Sequence, residues 1–150
     1  MKIPFRKILA PTDFSEASLG TVEFAARLAR HFGADLLLVH VVMAVEPAIT
    51  PGFPHSVRAP HRQKELADAA FKKLHEMAAA RFPAEQPVEF IVVPGKPAEQ
   101  ILGIAREKDA DLIIISTHGE GGFRRAIFGS VADVVIRNAE CPVLSTRSYP

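Results

Sequence analysis

The feature that most narrows what this chain can fold into is a pair of apolar runs without alternation, Asp35–Val42 (DLLLVHVV) and Asp111–Ser116 (DLIIIS). A strand with one wet face alternates polar and apolar residues. An unbroken run of Leu, Ile and Val fits a strand covered on both faces, as parallel sheets require. Further strands are predicted at Lys7–Ala10 (KILA, extended back to Phe5 and stopped by Pro11), Val88–Val93 (VEFIVV) and Pro142–Thr146 (PVLST).

Helical patterns fill the gaps. Ser15 is an N-cap for Glu16–Phe32, where Leu19, Val22, Ala26 and Ala29 recur at helical spacing, and Gly33 supplies a left-handed stop. Gln63–Phe82 carries the stripe Leu66, Ala70, Leu74 and Met77. After the turn Pro94–Pro97, Pro97 suits the first turn of a third helix running to about Lys108. Ser130–Asn138 forms a fourth, with Val131, Val134 and Val135 facing inward. The segment 46–62 holds Pro47, Pro51, Pro54 and Pro60, a density that reads as a long flexible loop. The order βαβαβαβαβ implies a single α/β domain over residues 1–150, a doubly wound three-layer fold with helices on both faces of a parallel sheet.

Composition excludes several partners. The chain has 150 residues, with 18 Lys and Arg against 17 Asp and Glu, so no basic excess points to nucleic acid. Cys141 is the single cysteine and lacks companions at zinc spacing. No apolar stretch approaches the ~18 residues of a membrane span. The segment Met1–Arg6 lacks a signal-peptide pattern, and the cytoplasm is the expected address.

In doubly wound sheets, ligands sit beyond the carboxyl ends of the strands where the strand order reverses. The loops after the first and fourth strands are therefore the informative ones. The first, Pro11-Thr12-Asp13-Phe14-Ser15, allows two readings of Asp13: a helix cap, or a rim carboxylate accepting hydrogen bonds from a ribose or base edge. The second runs from Ser116 to Ser130 and is dense in glycine. Such a loop closing on a helix start exposes backbone N–H groups to an anion, although glycines also serve sharp turns alone. The P-loop pattern fails here because Gly129-Ser130 lacks the lysine, and the dinucleotide fingerprint fails at Arg124. His118 has no carboxylate partner in view and reads as loop-shaping rather than as a general base.

Four segments, Ile8–Ser18 (ILAPTDFSEAS), His40–Val42, Val93–Ile101 (VPGKPAEQI) and Ile115–Val143, resemble the universal stress proteins in content and order. That resemblance implies the Rossmann-like, adenine nucleotide alpha hydrolase-like fold with strand order 3-2-1-4-5. It also implies an adenine nucleotide, ATP, ADP or AMP, held with Mg2+ that the protein's own side chains do not ligate. Family members that bind ATP are similar in a pattern Gly-x-x-Gly, nine residues, Gly-Ser/Thr, which aligns here with Ser116 to Gly119 and then Gly129-Ser130. By resemblance, Gly119, Gly129, Ser130 and Val131 cradle phosphates, and Ser116 lies against the ribose. Pro11, Thr12 and Asp13 meet the nucleoside, the backbone of Val41 reads the adenine edge, and His118 and Gly122 complete the set. The family further implies a homodimer through Pro142–Thr146.

Two residues depart from the pattern. Ser116 replaces the first glycine, and Glu120 stands where a basic or neutral residue is commoner. A carboxylate about 4 Å from a phosphate charge costs about 1 kcal/mol in water and about 4 at an effective dielectric of 20. Arg124 and Arg125 allow two readings, an offset to that cost if one points into the site, or a solvated loop tip. The leading expectation is a stress-response regulatory protein that binds nucleotide. Its alternative is a family member acting only as a protein-interaction module. An enzyme is disfavoured: there are no paired carboxylates, no activated nucleophile and no phosphate-clamping lysine in the loop.

Overall fold

The computed structural model describes residues 4–45, 58–117 and 129–147. Its elements, in chain order, are β1 (Lys7–Pro11), α1 (Glu16–Phe32), β2 (Asp35–Val42), α2 (Arg58–Arg81), β3 (Val88–Pro94), α3 (Pro97–Glu107), β4 (Leu112–Ser116), α4 (Ser130–Asn138) and β5 (Val143–Thr146). The five strands form one parallel sheet in the order β3-β2-β1-β4-β5. This is the 3-2-1-4-5 arrangement.

The unalternating runs now have their explanation. Ile8, Ala10, Leu36, Leu38, Leu112 and Ile114 point to one face and pack with α1 and α2. Leu9, Leu37, Val39, Ile113 and Ile115 point to the other and pack with α3 and α4. Every position in the central strands therefore meets a helix layer, so neither face can carry a polar set.

Local signals hold for α1. The Ser15 hydroxyl accepts from the Ser18 amide, and Gly33 closes the helix at φ 63°, its N–H reaching the carbonyls of Ala29 and Arg30. The second helix differs from expectation, since it begins at Arg58 rather than Gln63 and so takes in the end of the supposed loop. Pro60 is compatible because it sits in the first turn, where no intrahelical acceptor awaits its missing N–H. The rest of that loop, residues 46–57, lies outside the described residues.

Two core assignments also change. Leu66 is 40% exposed, while Ala70, Leu74 and Met77 are buried. The 24 residues of α2 extend about 36 Å, against about 27 Å for the eight of β2, so the helix overhangs the sheet. Gln63 marks the overhang: its Oε1 accepts from the Val45 amide at 2.7 Å, just beyond the end of β2. On α4, Ala132 and Val135 form the buried pair and Val134 turns outward. Their spacing of three selects one face, and the position before Val135 lies about 100° round the helix from it.

Replacing Leu74 by Ala is expected to cost about 2–5 kcal/mol in urea denaturation, whereas Leu66→Ala costs under about 1 kcal/mol. Half-buried Cys141 packs beside the α3–α4 core, and burial pushes its thiol pKa up. A raised pKa leaves less thiolate at neutral pH. Cys141 should therefore react with Ellman's reagent more slowly than free cysteine at pH 7, with the rate climbing as pH passes the ordinary thiol range.

Candidate functional site

The candidate site is the carboxyl rim of the sheet at the switch point between β1 and β4. Its geometry begins with the early end of β1. Pro11 is the last strand residue, paired with Val39, and the Thr12 amide donates to the Val39 carbonyl at 2.8 Å. β2 continues to Val42 alongside β3, and the Val42 carbonyl accepts from the Gly95 amide at 3.0 Å. Backbone groups alternate sides along a strand. Val39 faces β1 and Val42 faces β3, so the N–H and C=O of Val41 point to the β1 side, past the place where β1 has ended.

Thr12 is held inside the fold. It is 5% exposed, and its hydroxyl accepts from the Phe14 amide at 3.0 Å. The Ser18 hydroxyl donates to the Ser15 carbonyl, so across the 2.9 Å contact between the two hydroxyls Thr12 is the donor. The Thr12 carbonyl faces His40 Nδ1 at 2.7 Å. Thr12 thus shapes the turn with all three polar groups engaged internally. Asp13 follows with its side chain exposed, and its Oδ1 accepts from the Ser15 amide at 2.9 Å and from the Ser15 hydroxyl. Ser15 is therefore the cap of α1, and Asp13 steadies the entry to the helix through Ser15 while its carboxylate lies at the exposed rim.

The opposite wall is the join between β4 and α4. Half-buried Ser116 ends β4 in register with Thr146, and Thr117 behind it is 1% exposed. Thr117 donates both its amide (3.0 Å) and its hydroxyl (3.1 Å) to the Thr146 carbonyl. The Thr146 hydroxyl meets Thr21, whose own proton goes to the Ala17 carbonyl, so this end of β4 is pinned to β5 and α1 together. The Gly129 amide then donates to the Thr117 carbonyl at 2.6 Å. A Cβ on Gly129 would lie 3.1 Å from that oxygen, so a larger residue here must push the Thr117 carbonyl back by a few tenths of an ångström. Gly129 is the N-cap and Ser130 the first helical residue, so the cap falls one position before Ser130. Gly129 has no side chain to cover the first-turn amides of α4, which start at Ser130 and Val131.

The fold therefore gathers Pro11, Thr12, Asp13, Val41, Ser116, Gly129, Ser130 and Val131 along one rim. His118, Gly119 and Gly122, with Glu120, Arg124 and Arg125, lie outside the described residues. Three further residues enter from the structure: Phe14, His40 and Lys73. The Phe14 and His40 rings are 4.4 Å apart, and Lys73 Nζ sits 4.3 Å from the Phe14 ring centre. No spacing in the sequence links these three positions. Among the described residues, no group of three or more His, Cys, Asp or Glu is placed to hold a metal ion, and no helix is long and apolar enough to cross a membrane.

Comparison with known proteins places this geometry in context. The model of the universal stress protein family matches residues 4–147. The universal stress protein MJ0531 of Methanocaldococcus jannaschii is 36% identical over 147 residues, covering 95% of this chain and 82% of that one. The solved structure of the hypothetical protein MJ0577 shares the fold with a TM-score of 0.80 at 25% identity, over 97% of this chain and 98% of that one. Two further structures of the same fold are nucleotide complexes. One is a universal stress protein with cAMP (TM-score 0.68, 22% identity, 95% of this chain and 97% of that one). The other is the Archaeoglobus fulgidus universal stress protein with dAMP (TM-score 0.56, 24% identity, 96% and 98%). With the family model matched along nearly the whole sequence and the fold shared at that level, this chain belongs to the universal stress protein family.

Proposed function

We propose that this protein binds an adenine nucleotide at the carboxyl rim and acts as a dimeric stress-response regulator in the cytoplasm. The observation that carries the reading is the backbone of Val41, whose N–H and C=O point to the β1 side and meet no partner among the described residues. Adenine offers a ring-nitrogen acceptor beside an amino donor, and the N–H and C=O of one strand residue are their complement. Asp13 suits the ribose hydroxyls as an acceptor, and the start of α4, where the Gly129 cap makes no side-chain hydrogen bond, suits phosphate oxygens. The structures with cAMP and dAMP support the same chemistry, since each ligand joins an adenine to a phosphate. The expected ligand is ATP, or ADP or AMP, with Mg2+ carried on the phosphates. Binding without turnover is favoured because the sequence supplies no paired carboxylates, no activated nucleophile and no lysine in the glycine loop.

A second reading, an interaction module without nucleotide, is favoured by Ser116, which brings a side chain to a position where the family pattern has glycine. Isothermal titration with ATP and Mg2+ separates the two. Saturable binding that weakens at least about tenfold in Gly129→Val supports the nucleotide site, the valine side chain being forced toward the Thr117 carbonyl. No heat up to millimolar ATP, in protein shown to be folded, supports the module.

The dimer is proposed to form through Pro142–Thr146. β5 is an edge strand. The carbonyls of Pro142 and Thr146 point to β4, accepting from Ile113 and Thr117, so by alternation Val143 and Ser145 direct their backbone groups outward. Ser145→Pro removes one outward N–H and leaves the β4 ladder intact. Light scattering after gel filtration should show twice the chain mass for the native protein and a shift to monomer in this variant.

A further inference from the structure

We propose that His40 is a positioning residue for the nucleoside end of the site, fixing the Thr12–Phe14 turn and through it the Asp13 carboxylate; this rests on the nucleotide reading above. The starting observation is the backbone of Phe14, which has φ 65°. The other described non-glycine residue with positive φ is Asp109, of a type that tolerates the left-handed region. A bulky aromatic there is an outlier. Such a residue persists only where its surroundings over-determine it, and outliers of this kind gather at ligand clamps.

The surroundings of Phe14 form such a clamp. Its amide is held by the Thr12 hydroxyl at 3.0 Å. Its ring lies against the His40 imidazole, with centres 4.4 Å apart and planes tilted by 37°. Lys73, from α2, sets its ammonium 4.3 Å from the same ring, within cation–π range. His40 then joins the turn to β2, with Nδ1 2.7 Å from the Thr12 carbonyl oxygen. A carbonyl can only accept, so Nδ1 carries the hydrogen and donates it. Thr12 is almost fully buried, which denies its carbonyl an easy replacement by water.

His40 sits between two proposed nucleoside contacts. The residue after it, Val41, offers the adenine edge, and the residue after its hydrogen-bond partner is Asp13. One hydrogen bond therefore sets the relation between the group that reads the base and the group that meets the sugar. Without the donor, Phe14 loses a reason to stay left-handed and the turn can relax, carrying Asp13 with it.

The test is ATP–Mg2+ affinity by isothermal titration, with thermal melting alongside, for the native protein and three variants. His40→Phe keeps a ring against Phe14 without a donor, His40→Ala removes both, and His40→Asn places an amide N–H near the position of Nδ1. A donor-less variant that folds should bind ATP about tenfold more weakly, while His40→Asn stays within about threefold of the native protein. Should one donor-less variant not fold, the other serves. Native affinity in a donor-less variant, or a loss in His40→Asn equal to theirs, overturns the positioning role and leaves the nucleotide reading standing. A folded native protein that binds no ATP overturns both.

Discussion

The structure depends on the central strand β1 being hydrogen-bonded on both sides while ending before β2 does. Lys7–Pro11 pairs with Asp35–Val39 on one side, and Ile8 and Leu9 pair with Leu112 and Ile113 on the other. Burial on both faces and pairing on both edges leave β1 a single register. Its end is therefore a fixed point from which the rim is built. Beyond Pro11 the chain turns away into α1, and β2 runs on with a backbone edge facing the gap.

Two kinds of fastening hold the rim in shape. On the β1 side, Thr12, Ser15 and Ser18 form a short chain of hydroxyl and amide bonds that commits every polar group of Thr12 to the fold. On the β4 side, Thr117, Thr146 and Thr21 tie the end of β4 to β5 and α1. Buried hydroxyls are costly unless satisfied. Once satisfied, they fix loop ends more sharply than apolar packing, which tolerates sliding. The glycine at 129 adds the last constraint, a helix start pressed against the Thr117 carbonyl.

Much of this was legible from residues alone. The doubly covered runs of β2 and β4, the Ser15 cap and the Gly33 stop each carry a local physical signature that tertiary contacts do not reverse. The place of the candidate residues, at the carboxyl ends of the neighbouring strands β1 and β4, was legible too, because the doubly wound topology fixes where those strand ends lie. The errors arose where local rules meet geometry. Pro60 reads as a helix breaker until its place in a first turn is known. Leu66 continues the stripe of α2, yet it lies one turn from Gln63, which already reaches past the end of β2, and it stays exposed. Val134 reads as core because it is apolar, but a helix of nine residues offers the sheet only a narrow face.

What the sequence by itself determined is the architecture: hydrophobic period, caps and turn residues act between near neighbours, and those interactions are written in order along the chain. It also determined the family, through segments that keep their order from Ile8 to Val143. Tertiary structure alone decided which backbone edge is open, which hydroxyl points inward, and that His40, Phe14 and Lys73 converge. Those outcomes depend on where strands stop relative to one another and on contacts between residues dozens of positions apart. No local pattern encodes such distances.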